Sequence, residues 1–112
     1  MAELNNLMTL DGAVAAFEFS DSGELVSHEL ADDCDMTEQT LDMLSHVCVA
    51  NLSIATMQAR GWESLTGMGG FYPIGGFTLM GMDWSAVVQG TKGVVLENNK
   101  ADYEAAYQAL AE

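Results

Sequence analysis

The sequence predicts an α+β fold, an antiparallel sheet layered with helices. Three observations carry that expectation. Ala13 to Phe19 and Glu24 to Glu29 read as strands around the turn residues Ser20-Asp21-Ser22-Gly23. Thr37 to Arg60 keeps a helical period over its whole length. Three further strand-like runs follow it, and then a segment suited to a closing helix.

Taken in order, Ala2 to Met8 suits two turns of helix with Leu4, Leu7 and Met8 on one side, and Asp11-Gly12 breaks it. The first two strands form an antiparallel hairpin, because Asp tolerates unusual backbone angles and Gly accepts positive φ in the tight turn. Ala31 to Asp35 is an acidic connection. Thr37 is placed to N-cap the long helix, Met36 and Leu41 to form a hydrophobic staple across its start, and Gly61 to end it. That helix would be about 36 Å long at 1.5 Å per residue. Trp62 to Gly70 is expected as a glycine-rich connection. Strands are expected over Phe71 to Met80, Ser85 to Gln89 and Gly93 to Glu97. Pro73 suits an edge or a strand start, and Gly75-Gly76 a bulge or a late strand start. Gly90-Thr91-Lys92-Gly93 is a hairpin turn, and Asn99 a cap for a last helix over Lys100 to Ala111, with Asp102 in its first turn.

The long helix is the most informative element. On a wheel of about 100° per residue, Leu41, Leu44, Cys48, Leu52, Ala55 and Ala59 share one face. Met43, Val47, Ala50, Ile54 and Met57 share another, more than a third of a turn away. Glu38, Asp42, Ser45, His46, Ser53, Thr56 and Arg60 form a polar strip interrupted by Val49. A helix resting on one core needs one apolar stripe. A second stripe needs a second partner, and 112 residues supply no spare layer. Met43, Val47, Ala50, Ile54 and Met57 are therefore the expected contact with a partner from outside the chain.

Composition narrows the function classes. The length suits one domain, residues 1–112, with one modest core. Seventeen acids face three bases, Arg60, Lys92 and Lys100, for a net charge of −14. That balance argues against nucleic acid or an anionic membrane as partner. No apolar run reaches the 18 or so residues of a membrane span, and Met1-Ala2-Glu3-Leu4 lacks the start of a signal peptide, so a cytoplasmic location is expected. Two cysteines, Cys34 and Cys48, make a poor disulfide framework.

No constellation for catalysis, cofactor binding or metal binding stands out. The soft or imidazole ligands are His28, Cys34, His46 and Cys48, and His46 and Cys48 point to nearly opposite sides of a helix. Thr66-Gly67-Met68-Gly69-Gly70 is followed by a strand rather than a helix, and no Gly-Lys-Ser/Thr is present, so it is not a phosphate loop. Cys34 sits among Asp32, Asp33 and Asp35, which disfavour a thiolate. Trp62, Phe71, Tyr72, Phe77 and Trp84 surround the glycine loop and middle strands. The ordinary reading is a core rim; the sharper one is a docking surface, because aromatic and Met side chains are favoured at contacts.

Helix, hairpin, long helix, three-stranded meander and final helix resembles the roadblock/LC7 family. The local text agrees: Leu7 through Gly12, Ala13-Val14-Ala15-Ala16-Phe17, and Ser20-Asp21-Ser22-Gly23-Glu24-Leu25-Val26 look like that family's opening. Leu10-Asp11-Gly12-Ala13, Leu65-Thr66-Gly67-Met68 and Lys100-Ala101-Asp102 are most similar to a group of small bacterial roadblock-like proteins. The resemblance implies a profilin-like five-stranded antiparallel sheet, with one long helix on one face and two shorter terminal helices on the other. It implies a homodimer in which the long helices pair and edge strands often join, and it implies no catalysis. Relatives regulate Ras-like GTPases or serve as scaffolds, although no residue here matches a GTPase-contact motif.

The expected function is therefore a non-enzymatic homodimeric adaptor or regulator working through protein–protein contacts, with a small GTPase or a metabolic complex as the partner to test. Trp62, Met68 and Tyr72 are the expected contact residues, within the Met- and aromatic-rich stretch from Gly61 to Met82. The acidity calls for a basic or largely apolar docking surface on that partner. The alternative is a small-molecule or redox sensor module, with Trp62, Phe77 and Trp84 lining a pocket.

Overall fold

The computed structural model describes residues 3–112. The element order is α1 (Leu4–Leu7), β1 (Ala13–Phe19), β2 (Leu25–Leu30), α2 (Glu38–Thr66), β3 (Gly76–Met80), β4 (Trp84–Gln89), β5 (Lys92–Glu97) and α3 (Tyr103–Ala111). The strands form one five-stranded sheet in the order β2-β1-β5-β4-β3, antiparallel throughout.

Side-chain alternation along the strands divides the core into two layers. Phe17, Phe19, Ala86, Val88 and Val95 face α2 and pack with its Leu41 and Cys48. Ala16, Val87, Val94 and Leu96 face the opposite way and pack with Leu7 of α1 and Ala106 and Leu110 of α3. One long helix thus covers one face and the two short terminal helices cover the other.

The hairpin between β1 and β2 turns at Gly23, whose φ is +90°. A Cβ there would stand 3.2 Å from the His46 Cα, so the turn lies close against α2. Leu25 N–H donates to the Asp42 carboxylate at 3.1 Å, a second tie between that hairpin and the helix. The β4–β5 hairpin turns through Gly90-Thr91, with Gln89 and Lys92 paired across it.

Several expectations need correcting. The structure places one helical turn, Leu4–Leu7, in the first segment, and Ala2 lies outside the described residues. Gly61 does not end α2. The helix runs on through Trp62 to Thr66 and stops at Gly67, which takes the left-handed conformation (φ +72°) and returns its N–H to the Glu63 carbonyl at 2.9 Å. At 29 residues it is about 43 Å long. Glycine in a helix interior costs only about 1 kcal/mol. Contacts of the last turns offset that: Trp62 stacks on Phe71 with centroids 6.4 Å apart, and Glu63 Oε2 accepts N–H from Gly70, Phe71 and Tyr72.

The same carboxylate explains the next correction. No strand runs from Phe71; β3 begins at Gly76. The amides of residues 70–72 are engaged by Glu63 rather than by a neighbouring strand. At Gly76 a Cβ would overlap the Val88 carbonyl oxygen, so the strand starts where only glycine fits. α3 starts one turn later than Asn99 suggested, with Asp102 as the N-cap accepting from Ala105 N at 3.1 Å. Ser45 is not on a polar strip. It is fully buried, and its hydroxyl donates to the Leu41 carbonyl at 2.8 Å. The N-cap at Thr37 is observed, with Oγ1 accepting from Thr40 N at 3.2 Å.

Candidate functional site

The residues of the second α2 stripe lie together on a face that the rest of the chain leaves uncovered. Met43, Ile54 and Met57 are more than half exposed, Ala50 is exposed, and Val47 is 37 % exposed. Their counterparts on the first stripe do the opposite: Leu41, Cys48 and Ala59 are buried, and Leu44, Leu52 and Ala55 are half-buried. The two faces thus separate one helix into a core side and an apolar outer side.

The outer stripe is longer than the sequence reading allowed. Because α2 continues past Gly61, Gly61 and Leu65, each four residues on from the last, extend the face that holds Met43, Val47, Ala50, Ile54 and Met57. Leu65 is 80 % exposed, and a Cβ on Gly61 would meet open space. The signal was present in the spacing; reading Gly61 as a stop hid it. From Met43 to Leu65 the stripe is about 33 Å long.

Beside and just beyond its end lies the second candidate region. Trp62, Met68 and Tyr72 are all exposed, at 54, 62 and 41 %. They are not independent side chains on a loose loop. Trp62 stacks on Phe71, and Arg60 reaches Tyr72 both ways, donating to its hydroxyl at 3.0 Å and lying 4.5 Å from the ring centroid. With Glu63 holding three backbone amides, the segment after α2 is fastened to the helix that bears the stripe. Arg60, one of three Lys and Arg residues in the chain, is placed at this junction. The edge strand β3 adds the exposed Leu79 and Met80, with Met82 in the turn after it.

The remaining candidates carry structural roles. Cys48 is buried on the core face of α2, and burial pushes its thiol up to about 12, so it stays protonated and inert near neutrality. Cys34 is half-buried, its thiol 3.8 Å from the Met36 carbonyl oxygen. Among the described residues no group of three or more His, Cys, Asp or Glu side chains is placed to hold a metal ion. Ser85, Asn98 and Tyr103 form a hydrogen-bonded cluster that ties α3 to β4, with the Ser85 hydroxyl donating to Asn98 Oδ1 at 2.5 Å. The Asn98 amide donates onward to the carbonyls of Gly81 and Met82 and fixes the β3–β4 turn. Of the aromatic residues weighed for a pocket, Trp62 stacks on Phe71, Phe77 packs beneath α2, and Trp84 borders a polar groove of about 510 Å3. No helix among the described residues is long and apolar enough to cross a membrane.

The fold has clear relatives. Over 96 % of this chain and 82 % of the other, it is similar to gliding protein MglB from Thermus thermophilus, with a TM-score of 0.74 at 17 % identity. A roadblock/LC7 domain from Streptomyces avermitilis gives a TM-score of 0.75 at 10 % identity, over 96 % of this chain and 85 % of that one. MglB of Myxococcus xanthus gives 0.64 at 14 %, over 95 and 80 %. No curated protein matches the chain in sequence. Identities this low establish the shared fold, which is roadblock/LC7. A family model described as "uncharacterized conserved protein (DUF2173)" matches residues 3–112, and the chain belongs to that family.

Proposed function

We propose that this protein acts through protein–protein contacts, without chemistry of its own, as a homodimeric adaptor or regulator. The observation that carries the reading is the exposed apolar stripe of α2. A contiguous apolar face of this length on a small acidic chain marks an interaction surface. Two copies related by a two-fold axis would bury the same face on both sides. MglB has been described in a tetrameric arrangement, so self-association occurs on this fold.

In this reading the dimer presents a second surface to a different protein. Trp62, Met68 and Tyr72 are its proposed anchors, held at the end of the stripe by Arg60 and Glu63. A small GTPase is the partner class favoured by the roadblock/LC7 resemblance, and a metabolic complex is the other. The charge of −14 per chain requires that partner to offer a basic or apolar face.

Light scattering at micromolar concentration tests the first step. A mass of two chains is expected, and Val47→Asp or Ile54→Asp should return it to one, because either change would bury an unpaired charge. A wild-type protein that stays monomeric defeats the reading.

A further inference from the structure

The sheet is wider than the helices that cover its second face. A helix is about 10 Å across and neighbouring strands lie about 4.8 Å apart, so one helix covers about two strands. On that face α1 rests on β1 and β2, and α3 on β4 and β5. The fifth strand, β3, is left without a cover of its own. Register decides which of its side chains this concerns. Gly76 pairs with Gln89 and Thr78 with Val87, and Val87 belongs to the layer under α3. Thr78 and Met80 therefore stand on the α3 side of the sheet, and both are exposed.

A groove of about 560 Å3 runs between this strand and α3. Tyr103, Tyr107 and Ala111 line it from the helix at i, i+4 and i+8, and Thr78 and Gln89 line it from the sheet. Tyr107 is 42 % exposed despite its large ring. On the sheet side, Gln89 Oε1 is buried and has no hydrogen-bond partner among the described residues. A buried acceptor without a donor is unfavourable, and a ligand in the groove can supply the donor.

Shape and charge define the occupant. Residues four apart on α3 make a ridge, and the furrow beside it takes the ridge of a second helix about 8–10 Å away. That position lies over β3. An extended peptide would instead pair with the edge of β3, in the plane of the sheet, and leave the groove empty. Glu104 lines the groove, and Asp102 and Glu112 cap the two ends of α3. The base on the neighbouring strand, Lys92, pairs with Gln89 on one side and stands opposite Glu18 on the other. The surface is thus acidic. No helix of this chain brings the complementary charge, because α1 and α3 contain no Lys or Arg and α2 contains only Arg60. A second copy is disfavoured here for that reason.

We propose that the groove between α3 and β3 is the docking site for an amphipathic helix of a different protein, whose apolar stripe packs on Tyr107 and Thr78 and whose flanking Lys and Arg side chains meet Glu104 and Gln89 Oε1. This surface is on the opposite side of the sheet from α2 and uses none of Trp62, Met68 and Tyr72. It goes beyond the function proposed above and stands or falls separately from it.

A synthetic peptide of about 18 residues, long enough to hold a helix in water, is the probe, with Leu at i, i+3, i+4 and i+7 and Lys elsewhere. It is titrated into the isotope-labelled full chain carrying Ile54→Asp, which spoils the competing apolar face of α2. Amide shifts are expected at Thr78, Gln89 and Tyr107, and at the Gln89 side-chain amide. A peptide of the same composition in scrambled order should bind at least about tenfold more weakly, and so should one with Glu in place of Lys. Tyr107→Ser should lose about tenfold in affinity, and Glu104→Gln less, with the Glu104 effect vanishing at high salt. Both residues are exposed, so the fold is kept. Shifts confined to other surfaces, no shift up to about 1 mM peptide, equal binding of the scrambled peptide, or full affinity of Tyr107→Ser overturns the docking site. Equal binding of the acidic peptide overturns the basic partner. Shifts at Thr78 and Tyr107 that grow with protein concentration alone would put a second copy in the groove and overturn the proposal as well. Peptide binding equal with and without Ile54→Asp is the expected sign that this surface is independent of the α2 stripe.

Discussion

The ring of Phe17 occupies the space that a side chain on Gly93 would need. The two residues are cross-strand partners between β1 and β5, and a Cβ on Gly93 would stand 2.6 Å from Phe17 Cζ and 2.8 Å from Cε1. Glycine normally weakens a strand interior. Here it lets a fully buried ring lie against the backbone of the central strands and stack on Phe19, with centroids 6.0 Å apart. Gly93→Ala should therefore destabilise the fold by about 1–3 kcal/mol, the usual range for overpacking a dense core. Urea denaturation reads this directly. Stability equal to wild type would show that the ring can move aside at no cost.

The carboxylate of Glu63 should hold the segment after α2 locally rather than support the whole fold. Glu63→Ala removes the acceptor for the amides of Gly70, Phe71 and Tyr72. Hydrogen exchange at those three amides should accelerate about tenfold, as expected when hydrogen bonds worth roughly 1 kcal/mol are lost. Exchange in the β1 and β5 amides should be unchanged. Uniform acceleration across the sheet would instead make Glu63 a determinant of global stability.

Cys48 predicts an alkaline limit. Its thiol is raised from 9.0 to about 12 by burial, whereas the unfolded chain ionises near 9.0. Between those values the unfolded state holds fewer protons than the folded one, so stability falls as pH rises through the window. The slope from this one group is about 1.4 kcal/mol per pH unit at most. Cys48→Ala should be less stable near neutrality, yet flatter between about pH 9 and pH 11 than the wild type. Parallel profiles for the two proteins would remove the thiol as the cause. At about pH 8, iodoacetamide should modify Cys34 well before Cys48.

The partner surface makes a separate prediction. Once a partner is isolated, a Met68→Asp, Tyr72→Asp double variant should lose at least about tenfold in affinity while remaining dimeric, since apolar anchors would be replaced by charge on an already acidic chain. Association with a basic partner should also slow as salt rises. Full binding by the double variant would exclude the contact, and a rate indifferent to salt would exclude steering by charge.

The sequence by itself determined the elements whose signals are local. The hairpin turns at Gly23 and Gly90, the N-cap at Thr37 and the strand β1 need only near neighbours in the chain, and the structure has them where those neighbours put them. The two-sided helix was legible for the same reason: periodicity assigns Leu41 and Cys48 to one face and Ile54 and Met57 to the other before any partner is known. What only the tertiary structure decided lies where a weak local preference met a long-range contact. Gly61 disfavours helix by about 1 kcal/mol, and Trp62 on Phe71 together with Glu63 on three amides offsets it. The polarity of Ser45 argued for solvent, but its hydroxyl bonds the Leu41 carbonyl, and a satisfied hydroxyl is buried at little cost. The backbone from Phe71 to Gly75 looked extended, yet Glu63 engages the amides of Phe71 and Tyr72, and pairing begins only at Gly76. Each of these turned on an atom that arrives from elsewhere in the chain. For that reason the full length of the exposed stripe, from Met43 to Leu65, became visible only once α2 was seen to continue beyond Gly61.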